Sequence, residues 1–541
     1  MTHPSGRTGA PFDFIVIGAG SAGCIVAARL AERSTHRVLL IEAGPGDRHP
    51  FIAMPAAFTY AVGSSRFDWG FKSEPEPGFD GRRIDCPRGR VLGGSSSINA
   101  MAFVRGQAAD YDDWAQRGLN DWSFERCLPF FRRLETFSGG ADAYRGGDGP
   151  LHVTRPVYST PLNGLFLEAC REAGYALSDD TNGACQDGFG PMEQTIHHGI
   201  RESTSRAYLR RLGRRGNLEI CKSAHVTRIV MEGRRAVGVE YRRGGAVHQV
   251  HAAGEVILCA GAISSPQILM LSGIGPASEL ARCGISLVQH SPEVGQNLQD
   301  HVDVSCKHLA LGPVTMTSLL KWYRRPAIFL EWAARRRGGG ATNHFEVAGY
   351  IRADGSDGRP DIQICFIPMM VSAHGDAISG SHGFQSTIMG LRPYSRGHIG
   401  LRSRDPLQAP AITFNYLTDG RDIQPLADGI RRYREIVAAS AFSSIAGAEV
   451  APGTGVVSDE DLDAFVRATG KSTHHPCGTC RMGIDDHAVV DSDGRVRGVA
   501  GLRVIDASIM PTITSGNINA PTMMIAEKLA HGMLTEAPRS D

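Results

Sequence analysis

One stretch near the amino terminus most constrains how this chain can fold. Residues 12–17 form an apolar run rich in β-branched side chains, which is typical of a buried parallel strand. The run ends in the pattern Gly18-x-Gly20-x-x-Gly23 and continues into residues 24–31, which have a helical pattern. We expect Gly18 to form the tight turn, Gly20 to admit a pyrophosphate close to the backbone, and Gly23 to let the helix approach the strand.

A second predicted strand completes a nucleotide-binding pattern. Residues 38–41 are apolar and end in Glu42, about 20 residues beyond the glycines, where a carboxylate would accept hydrogen bonds from ribose hydroxyls. A glycine motif by itself is weak evidence, because an ordinary loop can match it. The ordered set of strand, glycines, helix, strand and acid predicts dinucleotide binding. This set does not distinguish FAD from NAD. The Glu42 carboxylate argues against a 2′-phosphate on the ribose that it would bind.

Length and composition bound the class of protein. A chain of 541 residues is long enough for two or more large units, and 42% hydrophobic with 21% charged residues is typical of a soluble globular protein. A net charge of +1 gives no general attraction to nucleic acid. The twelve cysteines lack framework spacing, which predicts free thiols in a reducing compartment.

The chain shows no membrane-spanning or secretory pattern. No apolar run reaches the roughly 18 residues of a spanning helix, and residues 1–11 lack the apolar core of a secretory signal. We therefore expect a cytoplasmic protein, with a peripheral position at the inner membrane as the second interpretation. Residues 319–337 mix basic and aromatic side chains, which indicates either a membrane-surface element or a solvated helix face over a pocket.

Two internal stretches resemble ligand cradles. Gly93 and Gly94 precede three serines, a pattern that suits close backbone approach to a flat or charged ligand, although a flexible linker is the alternative. Residues 218–260 predict paired strands that lead into a small-residue turn at 261–267 and then a helix. This repeats the strand, turn and helix order of the first motif.

Residues 472–483 gather imidazoles and thiols, and three interpretations compete for them. A zinc site is one, but structural zinc usually takes separated ligand pairs, and adjacent His474 and His475 would point apart in an extended chain. A redox pair of Cys477 and Cys480 is another, but no thioredoxin-like unit accompanies it. The third is a histidine base, since His475 precedes a proline that favours extended geometry, and an imidazole is suited to accept an alcohol proton.

The ordered motifs resemble the glucose–methanol–choline (GMC) family of flavin oxidoreductases. The resemblance covers about residues 12–534 and rests on the nucleotide motif with Glu42, Gly93-Gly94-Ser95-Ser96, residues 261–276, His475-Pro476 and residues 506–521. Residues 343–346 and 395–398 are similar to those of bacterial choline-dehydrogenase-like and aliphatic-alcohol-dehydrogenase-like members.

The resemblance implies an α/β fold with two interleaved units. A Rossmann-like FAD-binding unit would comprise residues 12–45, 85–110, 200–300 and 468–541. A substrate-binding unit with its lid, built on an antiparallel sheet with helices, would comprise residues 46–84, 111–199 and 301–467. The substrate would be a small-molecule alcohol, and oxygen or a quinone-type acceptor would take the electrons. The number of subunits stays open.

The resemblance also assigns roles to single residues. FAD would be held by Gly18, Gly20, Ser21, Ala22, Gly23, Glu42, Ala43, Arg90, Gly93, Gly94, Ser95, Asn99, Ala100, Met101, Val226, Asp506, Ala507 and Asn519. His475 matches the catalytic base, and Asn517 matches its partner, which would donate to the developing alkoxide. Glu346 matches a carboxylate of choline-acting members, and with His474 it would face the substrate. No metal is implied.

Two departures from the family pattern refine the expectation. Members with covalent flavin attach it through a histidine where this chain has Ile98, so the FAD should be noncovalent. Choline-acting members often have an aromatic residue where this chain has His474, which favours an uncharged primary alcohol, oxidised to its aldehyde, over choline. Two further alternatives are a flavin-bound hydroxynitrile lyase without net redox change and a non-catalytic flavin-binding protein.

Overall fold

The computed structural model describes residues 11–33, 35–371 and 382–535. The prediction about a secretory signal falls almost entirely on residues 1–10, which lie outside that part. The α-helices span Ser21–Glu32, Pro50–Ala53, Phe58–Ala61, Ala108–Gln116, Phe124–Leu134, Leu162–Glu172, Gly261–Leu271, Ala277–Arg282, Arg325–Arg335, Gln424–Val437, Asp459–Thr469 and Asn519–Thr535, and Ser205–Arg210 forms a π-helix.

The first of two large sheets carries the predicted nucleotide motif. Its strands, in spatial order, are Leu218–Lys222, Val38–Glu42, Phe12–Ile17, Ala246–Leu258, Arg235–Arg243 and His225–Glu232, and Leu502–Val504 also pairs with Ala246–Leu258. The strands beside Phe12–Ile17 run parallel to it, whereas the last two pairings in this order are antiparallel. The long strand Ala246–Leu258 therefore joins a parallel layer to an antiparallel extension.

The second large sheet is antiparallel. Its strands, in spatial order, are Ala446–Ala451, Val302–Ala310, Gly383–Gly390, Ile362–Ile367, Val347–Ile351 and Gly188–Pro191, and Lys471–Ser472 also pairs with Val302–Ala310. Most side chains of Val347–Ile351 and Ile362–Ile367 are buried on both faces. The α/β class with a second, antiparallel sheet is confirmed.

Smaller elements connect the two sheets. Short strand pairs join Phe71–Lys72 with Asp85–Cys86, Glu135–Phe137 with Leu151–Val153, Ile196–His197 with Ile200–Arg201, Ile274–Gly275 with Gln289–His290, and His398–Gly400 with Ala411–Thr413. All twelve cysteines carry free thiols. Across the described part of the chain, no helix combines the length and the apolar character needed to cross a bilayer.

The first and last helices lie side by side over the first sheet. Ser21 Oγ donates to Asn519 Oδ1 at 2.6 Å at one end, and the Arg29 guanidinium binds the fully buried Glu527 carboxylate at 2.8–3.0 Å further along. Because a buried carboxylate needs hydrogen bonds or a partner charge, the Arg29 pair stabilises the register between two helices far apart in sequence.

Gly18 and Gly23 are required by close packing rather than by ligand contact. Gly18 has a φ of +91°, which side-chain-bearing residues rarely adopt. A Cβ on Gly23 would lie 1.8 Å from the carbonyl oxygen of Gly18. The turn and the helix can therefore approach each other only with glycine at both positions.

We predict that Gly23→Ala destabilises the protein by about 1–3 kcal/mol, the usual cost of forcing an extra methyl group into a filled site. Gly532→Ala is the matched control, since Gly532 also lies in a helix and its Cβ would meet nothing within 4 Å. That change should leave stability equal or raise it by about 0.5–1 kcal/mol. Urea unfolding monitored by circular dichroism measures both, and equal midpoints would contradict the packing argument.

Candidate active site

The glycine motif and the Gly93–Gly94 loop together form one cradle. Gly93 N donates to the carbonyl of Ala19 at 2.7 Å, and a Cβ on Gly94 would lie 2.6 Å from Gly20 Cα. A Cβ on Gly20 would meet only Gly94, at 3.9 Å, so this backbone otherwise borders open space. Gly20 thus leaves room for a group that approaches the backbone, as the sequence predicts.

Glu42 has the acceptor arrangement that the hydroxyl groups of a ribose require. Its two carboxylate oxygens accept hydrogen bonds from Ala19 N at 2.9 Å and Gly44 N at 2.8 Å, so each oxygen keeps a lone pair for a hydroxyl donor. Burial raises the pKa of Glu42 to about 7. Ala224 N donates to the Glu42 carbonyl at 2.9 Å, which places the start of the strand that contains Val226 beside this residue.

Arg201 is a site residue that sequence reasoning missed. Its buried guanidinium donates to the carbonyl and side-chain oxygens of Asn99 at 2.6 and 2.9 Å and to Ser96 O at 3.3 Å. Burial lowers its pKa to about 9, and its Nη2 has no hydrogen-bond partner within the described residues. A buried cation beside a glycine–serine loop fits an anionic cofactor, and a lone arginine within a short hairpin gave too weak a sequence signal.

The predicted cofactor residues near the carboxyl terminus, Asp506 and Asn519, connect separate segments of the cradle by hydrogen bonds. Asp506 accepts hydrogen bonds from Gly261 N at 2.8 Å, Ser265 Oγ at 2.6 Å and Ser508 N at 2.8 Å, so it joins the second strand–turn–helix to the segment that contains Ala507. Asn519 reaches the first helix through Ser21. These contacts bring the ends of the chain to one cradle.

Two predicted cofactor residues make other contacts. Arg90 donates to Ser65 O at 2.7 Å, and its guanidinium lies 5.6 Å from the centre of the Trp69 ring. Ser95 Oγ accepts a hydrogen bond from Gly89 N at 3.2 Å. Their roles toward FAD stay predictions. Ala100 and Met101 lie in a loop fixed by Asn343, whose side-chain amide donates to Ala100 O at 2.6 Å.

His475 lies in a polar network with a second histidine that the sequence did not reveal. Its ring is buried, and its Nδ1 lies 3.1 Å from His301 Nδ1 and 3.0 Å from Thr473 Oγ1. On the other side, Asn517 Nδ2 lies 3.0 Å from His475 Nε2. The predicted pair of His475 and Asn517 is therefore in contact, although their catalytic roles stay predictions.

The hydrogen-bond network determines the tautomer of His475. His301 Nε2 lies 3.0 Å from the carbonyl of Leu391, which can only accept, so this nitrogen carries the proton and His301 Nδ1 accepts. Thr473 Oγ1 donates to His301 O at 3.1 Å and has a free lone pair. His475 must then donate from Nδ1, which leaves Nε2 unprotonated beside Asn517.

Both imidazoles are held neutral by their surroundings. Burial lowers the pKa of His301 to about 4. Burial, followed by the neighbouring His301 and His474, holds the pKa of His475 well below its usual value of 6.5. A neutral His475, whose Nε2 lone pair accepts from the Asn517 amide, can accept a proton from a hydroxyl group that takes the place of that amide.

A buried carboxylate, Asp300, positions both histidines. Its Oδ1 accepts from His301 N at 2.9 Å and His475 N at 2.7 Å, and its Oδ2 accepts from Tyr416 Oη at 2.6 Å and from Ser472 Oγ. Sequence reasoning did not single out Asp300 or His301, because one acid next to one histidine is common and their partners are far away in sequence.

His474 differs from the sequence-based expectation. Its φ of +66° is left-handed, so the two histidines do not lie in an extended chain as predicted. The cause is local, since His474 N donates to Ser472 Oγ at 2.8 Å while the next amide donates to Asp300. The His474 ring is exposed in this structure, whereas the His475 ring is buried.

The competing interpretations of residues 472–483 gain no support from the geometry. Cys477 and Cys480 are fully buried, and burial raises the pKa of both thiols, which disfavours the thiolate that redox exchange requires. Within residues 11–33, 35–371 and 382–535, no group of three or more His, Cys, Asp or Glu side chains is placed to hold a metal ion.

The fold and this site define an oxidoreductase with a dinucleotide cradle and a buried, neutral histidine. Residues 12–303 and 393–526 match the amino- and carboxyl-terminal domains of GMC oxidoreductases. The chain belongs to the GMC oxidoreductase family. It is an FAD-dependent oxidoreductase that acts on CH–OH donors.

Relatives cover nearly the whole chain. An oxygen-dependent choline dehydrogenase of Vibrio vulnificus is 46% identical over 97% of this chain and 95% of its own length. The crystal structure of pyridoxine 4-oxidase from Mesorbium loti is 32% identical, with a TM-score of 0.89, over 97% of this chain and all of that one. A formate oxidase of Aspergillus oryzae, studied for FAD modification, is 29% identical, with a TM-score of 0.91, over 97% of this chain and 98% of its own.

We predict that His475→Ala lowers the rate of flavin reduction by about 10²–10⁴-fold, the usual contribution of a positioned proton acceptor. Because the pKa of His475 is lowered, the wild-type rate should lose its base only below pH 6.5. Anaerobic stopped-flow absorbance across pH measures both effects.

The matched control for that prediction is His474→Asn, since asparagine tolerates the left-handed backbone of this position. It should be much milder than His475→Ala, and both variants should retain normal FAD content. A larger loss in His474→Asn would show that the wrong imidazole was assigned as the base.

Proposed function

We propose that this enzyme oxidises an uncharged primary alcohol to its aldehyde, with His475 as the base and Asn517 as a donor to the alcohol oxygen. The observation that carries the choice of an uncharged substrate is the environment of Glu346. This carboxylate matches the predicted partner for a cationic head group, and both of its oxygens already accept hydrogen bonds from the protein.

Glu346 is fully buried and hydrogen-bonded on both oxygens. Its Oε2 accepts from Ser159 N at 2.7 Å, Ser159 Oγ at 2.9 Å and Asn163 Nδ2, and its Oε1 accepts from Thr342 Oγ1 at 2.9 Å. Burial raises its pKa, which means that the surroundings disfavour its charged form. These contacts support a role in fixing the loop at residues 342–346, the structural alternative that the sequence left open.

The wall next to the histidines is apolar. Leu391, whose carbonyl holds His301, belongs to a buried cluster whose other members are Ala102, Val104, Met192, Ala348, Tyr350, Cys365 and Met389, with Phe345 against it. Gly516, next to Asn517, contacts this cluster, since a Cβ there would lie 2.5 Å from Val104. An apolar wall beside one base and one amide donor suits an alcohol with an uncharged body.

Two tasks at the alcohol oxygen follow from this proposal. An alcohol hydroxyl that displaces the Asn517 amide from Nε2 of His475 would donate its proton to the imidazole. Asn517 would then donate to the oxygen as negative charge develops, an interaction that typically contributes a few kcal/mol. Bound FAD supplies the hydride acceptor. His301 and Asp300 hold the His475 ring in the orientation that keeps Nε2 available.

Choline is the second candidate substrate, and two observations favour it. The relative from Vibrio vulnificus is an oxygen-dependent choline dehydrogenase. A second buried carboxylate, Asp303, lies two residues after His301, in the strand Val302–Ala310. Lys471 Nζ lies 3.5 Å from its Oδ1, so this charge is already compensated within the protein.

The attachment of FAD follows from Ile98. Its alkyl side chain cannot form a bond to flavin, and it is buried in a small apolar cluster with Ile52, Ala61, Phe67 and Val91. This packing supports noncovalent binding. We predict that acid precipitation releases all flavin absorbance into the supernatant, and colour that stays on the precipitated chain would contradict the assignment.

We predict that an uncharged primary alcohol gives a higher kcat/KM for flavin reduction than choline does. Glu346→Gln should change kcat/KM for neutral and cationic alcohols by the same factor, because the residue acts through its loop. Asp303→Asn is the control at the other buried carboxylate. A choline preference that either variant removes selectively, by about tenfold or more, would instead establish the choline-oxidising alternative.

A further inference from the structure

A basic and aromatic segment, residues 321–337, lies on the surface with little contact to the body of the protein. It comprises the turn Trp322–Arg324 and the helix Arg325–Arg335. Trp332 is its one buried side chain; it packs on Met54 and Ala57, and its Nε1 donates to Gly199 O at 2.7 Å. One anchored side chain holds the helix in place and leaves most of its surface to solvent.

The exposed side chains of this segment include large apolar ones. Trp322 is 78% exposed, Leu330 65% and Tyr323 55%. The rings of Trp322 and Tyr323 lie next to each other, with centroids 6.1 Å apart. Clustered exposed apolar groups mark a binding surface, and tryptophan and tyrosine are the residues enriched where proteins meet the lipid headgroup region.

The apolar surface continues onto a neighbouring part of the chain. Phe51 and Tyr60 are both exposed, and their ring centroids lie 5.2 Å apart. The Arg325 guanidinium lies 6.0 Å from the Tyr60 ring, which connects the two parts. The combined patch therefore includes side chains from residues 51–60 and from the segment 321–337.

The charge of the segment is strongly one-sided, although the whole chain carries a net charge of only +1. Its cationic residues are Lys321, Arg324, Arg325, Arg335, Arg336 and Arg337, and Glu331 is its one acid. Among the described residues, no carboxylate lies within ion-pair distance of any of these cations. The cations are thus available to an external anion.

We propose that this patch is a docking surface for an anionic lipid bilayer. The aromatic and leucine side chains would enter the headgroup region while the surrounding cations pair with lipid phosphates and carboxylates. A second copy of the chain fits poorly, because a twofold interface would set the same six cations against each other. The protein would bind the membrane surface without crossing the bilayer. For residues 319–337, the proposal therefore selects the membrane-surface element, one of the two alternatives that the sequence left open.

The docking surface adjoins the site. The segment rests on residues 53–57, and the next residue, Phe58, contacts the Phe345 ring with centroids 6.1 Å apart. Phe345 lies against the apolar cluster that contains Leu391. A bilayer on this surface would therefore lie on the side of the protein where the apolar wall of the site begins.

The test is co-sedimentation of the FAD-loaded enzyme with vesicles of phosphatidylcholine alone and of equimolar phosphatidylcholine and phosphatidylserine. Binding is expected only to the anionic vesicles and should weaken with added salt. The variant K321Q/R324Q/R335Q/R337Q should bind at least about tenfold more weakly, since each cation near an anionic leaflet contributes about fivefold. W322S/L330S should also lose binding while its flavin reduction stays unchanged.

A matched control uses a basic surface without exposed aromatic side chains. R211Q/R214Q/R215Q removes three exposed arginines elsewhere and should bind vesicles as the wild type does. Quenching of tryptophan fluorescence by brominated lipid should occur in the wild type and be lost in Trp322→Phe.

Three results would overturn the proposal. They are no binding of the wild type to anionic vesicles, unchanged binding by both patch variants, or a wild-type dimer that W322S/L330S converts to a monomer. The last result would assign the surface to a second copy of the chain.

Discussion

The carboxylate of Asp300 is the interaction on which the rest of the site depends. It accepts two backbone amides, from His301 and His475, and two hydroxyl groups, from Tyr416 and Ser472. These donors come from three parts of the chain, and a buried carboxylate is costly without them. Any arrangement that satisfies Asp300 therefore also brings the two histidines into contact.

The contact between the two histidines determines which nitrogen of each imidazole carries the proton. The Leu391 carbonyl requires a proton on His301 Nε2, His301 Nδ1 then accepts from His475, and His475 Nε2 accepts from the Asn517 amide. Burial keeps both rings neutral. The protein thus holds a neutral imidazole with an unprotonated Nε2, and an apolar wall covers the adjoining side.

The loop at residues 342–346 combines side chains that hold the loop in place with one that borders the apolar wall of the site. Asn343 ties the loop to Ala100 in the flavin-binding region, and Glu346 ties it to Ser159, Asn163 and Thr342. Phe345, between them, turns to the apolar cluster. The charged residue of the loop is thus bonded within the protein, and the apolar residue borders the site wall.

The sequence alone determined the parts of this protein that depend on local geometry. The strand at 12–17 follows from an apolar run rich in β-branched residues. The turn at Gly18 and the close packing of the helix at 21–32 follow from steric limits that only glycine meets. Helix ends were less accurate, since the predicted helix at 24–31 begins at Ser21. The contact between His475 and Asn517 was also expected, from an ordered set of family motifs.

Only the tertiary structure decided which distant groups meet. His301 and His475 are 174 positions apart, and Glu346 and Ser159 are 187 apart, so no local pattern relates them. The left-handed backbone of His474 likewise depends on hydrogen bonds to Ser472 and Asp300 that the sequence does not display. Steric limits act within a few neighbouring residues and can be read from the sequence. The pairing of buried polar groups depends on which distant segments pack together, and that is determined only in the folded chain.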